Sequence, residues 1–137
     1  MTPSSEAELA DAIASATGPL AVRGGGTRGV VTQGDPLETG GLSGITLYEP
    51  GALTMVAQAG TPLAEVEAAL EAEGQRLAFE PVDLRGLLGT IGKPTIGGVF
   101  AANVSGPRRV QAGAARDFLL GVRLVDGLGR VSRTAGA

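Results

Sequence analysis

Two short glycine-rich segments hold most of the chemistry that this chain can do. The first, Arg23-Gly24-Gly25-Gly26-Thr27-Arg28-Gly29, follows the apolar run Leu20-Ala21-Val22. Consecutive glycines open backbone conformations closed to other residues, so several N–H groups can converge on one anion. The Thr27 hydroxyl and the guanidinium groups of Arg23 and Arg28 add donors, and a pyrophosphate suits that set. The pattern is neither a Walker A loop, which needs G-K-[ST], nor a Rossmann fingerprint, which needs G-x-G-x-x-G opening a helix. The second segment, Thr95-Ile96-Gly97-Gly98, precedes a predicted helix at Gly97–Ala102, and Asn103, Ser105 and Gly106 follow it. A helix start offers free amides and partial positive charge, and glycine there lets a ligand approach the backbone. Alone, the first segment also fits a flexible turn, and the second a capped helix start packed through small residues. Together they favour one extended ligand with a diphosphate at its centre.

Other polar groups carry less. Glu67 and Glu71 stand four residues apart on a predicted helix and read as a solvated face. Arg108-Arg109 suits a phosphate, a partner's carboxylates or a plain exposed loop. Asp117 reads as a turn-fixing carboxylate, and the lone Tyr48 as packing.

The absences exclude more. With no His and no Cys there is no Ser-His-Asp triad, no thiol nucleophile, no zinc site of the usual ligands and no disulfide. No catalytic or metal-binding residue is assigned, so a cofactor or a partner must supply the reactive group. Net charge is −3, but residues 1–84 carry 12 acidic and 3 basic side chains while residues 85–137 carry 2 acidic and 8 basic. That basic half suits a polyanionic ligand or an acidic subunit. Nucleic acid is not expected, since aromatics make up only 3% and no lysine cluster exists. The acidic start has no leader-like pattern and no run is long enough to span a bilayer, so a cytoplasmic protein or a peripheral subunit is expected.

The elements that must position these segments follow from local pattern. Ser5-x-x-Glu8 reads as a capping box for a helix that Gly18-Pro19 ends. Strands are predicted at Leu20–Arg23, near Leu37, at Ile45–Tyr48 and at Leu53–Ala59. Thr61 reads as N-cap of a helix over 62–73, and Arg76–Phe79 as a returning strand that completes a βαβ crossover. Pro81–Pro94 is a long loop of the kind that is usually functional or mobile. Asn103–Gly113 is loop, Phe118–Val125 a strand, Asp126–Gly129 a hairpin turn and Arg130–Thr134 its return. With 137 residues, 43% hydrophobic and much of that alanine, one small domain with a small-residue core is expected. A lone terminal hairpin ending at Thr134-Ala135-Gly136-Ala137 wants further strands, so the chain reads as a truncated domain.

The ordered set RGGGT, EPG, QAGTPLAEVEAAL, PTIGGVFAANVSGPRR and AGAARDFLLGVRLVDGLG resembles the FAD-binding domain of the vanillyl-alcohol-oxidase/PCMH flavoprotein superfamily. Within it, the stretch FE-P-V-D…TIGG…N-x-SGPRR-x-x-AG-x-x-RD-x-x-LG is most similar to the FAD-binding E subunits of bacterial glycolate oxidases. The resemblance implies an α+β fold of the FAD-binding PCMH type, with two α+β subdomains and FAD between them. Subdomain one would span about 1–80, and an incomplete subdomain two would begin over about 81–137. Gly24, Gly25, Gly26 and Thr27, with Arg28, match the pyrophosphate loop. Thr95, Ile96, Gly97, Gly98 and Asn103 match a second FAD-contacting segment, and Gly106 and Gly113 lie in the loop after it.

The implied function is non-covalent FAD binding as part of a flavin-dependent 2-hydroxy-acid (glycolate) oxidoreductase subunit, the chain alone being inactive. Covalent attachment through His or Cys is ruled out by composition. The alternative is a non-catalytic interaction subunit docking to a catalytic flavoprotein subunit and an iron–sulfur subunit, through which it would sit peripherally at the inner membrane. Two departures stand out: Asp83–Pro94 is longer than in compact members, and Asn103-Val104-Ser105-Gly106 replaces a more common N-x-G-G.

Overall fold

Helix α1 (Glu6–Ala14) begins where its cap places it, with one bond redirected. Ser5 Oγ accepts from the Glu8 amide at 3.2 Å, while the Glu8 carboxylate accepts from the amide and hydroxyl of Ser4 at 2.8 and 2.9 Å. The Ser4 amide and then its hydroxyl hold Glu8 below the usual carboxylate range. The computed structural model describes residues 1–135 of the chain; Gly136 and Ala137, the end of the stretch read as a truncated domain, lie outside the described residues.

Strand β1 (Leu20–Arg23) pairs in parallel with β2 (Asp35–Glu38), the short strand expected near Leu37. Leu37 is fully buried on it. The N-terminus lies along β2: the Met1 ammonium donates to the Pro36 carbonyl at 2.7 Å, and the Glu38 amide donates to the Met1 carbonyl at 2.8 Å. Strands β3 (Ile45–Glu49) and β4 (Thr54–Ala57) form an antiparallel pair. Leu53 takes a left-handed conformation (φ 53°) at the end of the intervening turn, so β4 starts one residue later than its apolar pattern suggests.

Helix α2 (Leu63–Ala72) buries Leu63, Val66 and Leu70 and leaves Glu67 and Glu71 exposed, as their spacing predicts. Thr61 is not its N-cap. That hydroxyl is fully buried, accepts from the Gly44 amide at 2.9 Å and donates to the Gln58 carbonyl at 2.7 Å, so its bonding capacity goes to the preceding loops. The predicted strand Arg76–Phe79 does not form, and with it the βαβ crossover. The alternation of Leu77 and Phe79 serves core packing instead, since no strand lies alongside to complete a ladder. Only an isolated bridge, Pro81 to Ser105, marks the place.

Beyond it, the long loop holds one helical turn, α3 (Arg85–Leu88), and leads into α4 (Ile96–Ala102). A further turn, α5 (Arg109–Ala112), lies where loop was expected, and a 3-10 turn at Ala115–Phe118 takes in Phe118, the expected first residue of the next strand. Strand β5 (Gly121–Val125) therefore starts late, because Phe118 closes the 3-10 turn, its ring still exposed on one side and 6.0 Å from that of Phe79. It pairs with β6 (Val131–Ala135) across the expected turn, where the amides of Arg130 and Leu128 hold the Asp126 carboxyl below its ordinary range. The hairpin leans on α1 through an Arg123–Glu6 ion pair.

The core joins Leu63, Val66 and Leu70 of α2 to Phe79, to Ile96 and Val99 of α4 and to Ala115. Phe79 meets Phe100 edge-on at 5.6 Å. Among the described residues, three two-stranded sheets with helices set between them, rather than alternating regularly, give the α+β fold expected of the PCMH type.

Candidate functional site

The segment Gly24–Arg28 leaves the end of β1 as an irregular, half-buried loop. Among the described residues, none of its five amides donates to an acceptor in the chain. Gly26 has φ 65°, which permits the loop to turn back so that the Arg23 guanidinium lies against it. One nitrogen of Arg28, Nη1, is buried without a hydrogen-bond partner. A buried cationic donor with no acceptor carries a desolvation cost that an anion would offset.

The wall of this loop is the approach to α4. A Cβ on Gly25 would overlap the Lys93 carbonyl, and one on Gly24 would come within 2.9 Å of Thr95 Oγ1. The first two glycines are therefore there for close approach of backbone to backbone. Two residues outside the predicted set also hold the loop: Thr39 Oγ1 donates to the Arg23 carbonyl at 3.3 Å, and Thr90 Oγ1 donates to the Thr27 carbonyl at 2.9 Å.

The start of α4 differs from its expectation. Thr95 is the N-cap, accepting from the Gly98 amide at 3.3 Å. The Ile96 amide donates to the Thr61 carbonyl and the Gly97 amide to the Ala59 carbonyl, each at 2.9 Å, while the Leu63 amide donates to the Pro94 carbonyl at 2.8 Å. Segments QAGTPL and PTIGG thus pair with each other, and the amides expected to be free are spent. Gly97 is required because a Cβ would lie 2.6 Å from the Ala59 carbonyl oxygen.

Asn103, Gly106 and Gly113 have their bonds and close neighbours within residues 80–118 and not in the glycine loop. Asn103 closes α4 in a left-handed conformation (φ 45°) and its Oδ1 accepts from the Arg116 amide at 3.2 Å. The buried Gly106 donates its amide to the Glu80 carbonyl at 2.9 Å, and the Arg108 amide donates to Glu80 Oε2 at 3.1 Å. Asp117 fixes the Gly113–Ala114 turn by accepting from the Ala114 amide at 2.7 Å. Of the predicted set, then, Gly24 to Arg28 and Thr95 to Gly98 are neighbours, and the other three brace the loops that follow.

A family profile described as FAD binding domain matches residues 1–135. The chain belongs to the FAD-binding domain family. A curated relative, glycolate oxidase subunit GlcE of Escherichia coli (strain K12), is 37% identical over 121 residues, covering 86% of this chain. The chain spans about a third of that relative's length, 33%. Among solved structures, the wild-type glucose dehydrogenase Phl p 4.0202 superposes with a TM-score of 0.77 at 17% identity, over 98% of this chain and 28% of that one. Phl p 4, a grass pollen allergen with glucose dehydrogenase activity, gives 0.74 at 18% identity with the same coverage. At those identities the likeness concerns the fold alone.

As an FAD-binding domain, this chain presents donors that fit the cofactor's diphosphate: five unpaired amides and a buried guanidinium nitrogen. An open cleft of about 440 Å³ lies elsewhere, between α2 and the 75–81 segment, and includes none of the predicted cofactor residues. Among the described residues no cluster of acidic side chains is arranged to hold a metal ion, and no helix is long and apolar enough to cross a membrane. What sequence reasoning missed is Thr39, Thr90, Gly92 and Lys93. The length of the Pro81–Pro94 loop was the signal for three of them; Thr39 had none.

Proposed function

We propose that this chain binds FAD non-covalently, with the diphosphate on the amides of Gly24–Arg28 and the Arg28 guanidinium. The buried, unpartnered Arg28 Nη1 carries this reading. Bound FAD supplies a two-electron acceptor. The chain's own residues bind and orient: Thr95, Gly97 and Gly98 keep the second wall close, and Asn103, Gly106 and Gly113 hold the next loops in register. Absence of His and Cys supports non-covalent attachment. On this reading residues 1–80 form a first subdomain and the chain from about 81 begins a second.

Likeness to GlcE, a glycolate oxidase subunit, supports a role in a flavin-dependent oxidoreductase of 2-hydroxy acids such as glycolate. On this reading the chain works with a catalytic flavoprotein subunit and an iron–sulfur subunit. No group at the site is placed to act as a base, so the chain by itself is inactive. The exposed Arg108 and Arg109, whose guanidinium groups have no acidic partner among the described residues, support docking to such partners. Titration with FAD, followed by flavin fluorescence quenching, tests the site: saturable binding lost in Gly25→Asp supports it, and uptake unchanged in that variant rejects it.

A further inference from the structure

The segment 82–94 encloses the glycine loop through a chain of contacts in which each member fixes the next. Arg85 lies forked on the Asp83 carboxylate, with Nε 3.0 Å from Oδ1 and Nη2 2.7 Å from Oδ2. Its remaining nitrogen, Nη1, donates to the Gly92 carbonyl at 3.0 Å. Gly92, with φ 128°, lies so close to the Gly25 carbonyl that a Cβ would overlap it, and Gly25 is equally tight against Lys93. Thr90 adds its bond to the Thr27 carbonyl. Two of the three guanidinium nitrogens thus grip a carboxylate and the third holds a backbone carbonyl, which fixes a planar group in one orientation.

We propose that the 82–94 loop is a clamp on the anion loop: Asp83 orients Arg85, Arg85 holds the Gly92 carbonyl, and Gly92 seats Gly25 so that the amides of Gly24–Arg28 converge. Asp83 and Arg85 are then positioning residues for a dinucleotide's phosphates, touching the loop and not the ligand. This rests on the reading of Gly24–Arg28 as the diphosphate site.

Four variants of the full chain separate the clamp from a merely structural loop: Gly92→Ala, Gly89→Ala, Arg85→Ala and Arg85→Lys. Gly89 also has a positive φ, 63°, and nothing lies within 4 Å of its would-be Cβ, so it reports a positive-φ substitution in the same loop without a close contact. FAD affinity is read by fluorescence titration, and amide hydrogen exchange at residues 24–28 is read without FAD. Gly92→Ala and Arg85→Ala are expected to weaken FAD by about tenfold or more and to speed that exchange, with Gly89→Ala within about twofold of wild type and Arg85→Lys intermediate. Wild-type affinity in Arg85→Ala overturns the clamp, as does equal weakening by Gly89→Ala and Gly92→Ala. If the wild-type chain takes up no FAD, the diphosphate reading fails. Exchange then decides the clamp, faster in Arg85→Ala supporting it and unchanged overturning it.

Discussion

The loop after β1 and the start of α4 look alike in sequence and have opposite roles in the structure. Both are glycine-rich and both follow a residue suited to capping or anion binding. In the first, among the described residues, five consecutive amides are unpaired and a guanidinium nitrogen is buried without an acceptor. In the second, the amides of Ile96, Gly97 and Gly98 all have acceptors within the chain. Gly24 and Gly25 let the first loop lie against Lys93 and Thr95 while its amides stay unpaired, whereas Gly97 removes a Cβ so that QAGTPL can pair with PTIGG. On the proposed reading a ligand completes the first, while the second has its amides already paired and serves as the wall beside it.

A carboxylate in the first segment should break this contrast most sharply. Gly25→Asp adds atoms where the Lys93 carbonyl sits and places a negative charge beside a diphosphate. Clash and like-charge repulsion together should weaken FAD by about 100-fold or more. Circular dichroism must show a folded variant for the titration to count, and near-native affinity would mean that the diphosphate lies elsewhere.

Gly97→Ala tests the other half. Helix propensity favours alanine by about 1 kcal/mol, but a Cβ 2.6 Å from the Ala59 oxygen meets backbone that cannot swing aside. Overpacking of that kind costs about 1–3 kcal/mol, so the clash outweighs the propensity gain by about 1 kcal/mol and the melting temperature should fall by roughly 3–5 °C. Affinity of the folded fraction for FAD should change little. If Gly97→Ala instead left stability intact and abolished binding, α4 would be a ligand site after all.

How far the sequence carried this picture depends on the range of the interaction involved. Helices α1, α2 and α4, the β5–β6 turn and the short strands β1 and β3 were legible because each is fixed by local composition, periodicity or a short cap. Leu77 and Phe79 misled because a period of two marks burial on one side, not the presence of a neighbouring strand. Thr61 misled for a related reason: a threonine before Pro62 suits a cap, and only the fold reveals that Gly44 lies within reach of its hydroxyl. The site residues were legible as types, since glycine runs with arginine suggest an anion. Whether an amide is free or spent is a tertiary fact, decided by partners some 35 residues away in the case of Ile96 and Thr61.

Arg28→Ala should give a smaller effect with an informative sign. Removing the side chain deletes a charge-assisted contact to the ligand, which should weaken FAD by about tenfold. It also deletes a buried nitrogen that has no partner in the ligand-free chain, so stability without FAD should hold or rise. Calorimetric melting of the same variant with and without FAD reads both quantities. A fall in ligand-free stability would mean that Arg28 is a structural member of the loop.

The mildest test varies pH instead of sequence. The Arg85 side chain, then its amide, holds the Asp83 carboxyl at about 2, down from an ordinary 3.8. A carboxylate depressed by folding binds fewer protons in the native state than in the unfolded one, so its contribution is complete above about pH 4. That contribution fades as pH falls from near 4 towards 2. Both partners are well exposed, with side chains 41% and 47% accessible, so solvent screening keeps the global effect small. The amide signals of Thr90 and Gly92 should therefore stay constant from pH 8 to pH 5 and move with a midpoint near 2. A midpoint near 4 would mean that Asp83 is not gripped by Arg85, and the wall of the glycine loop would need another support.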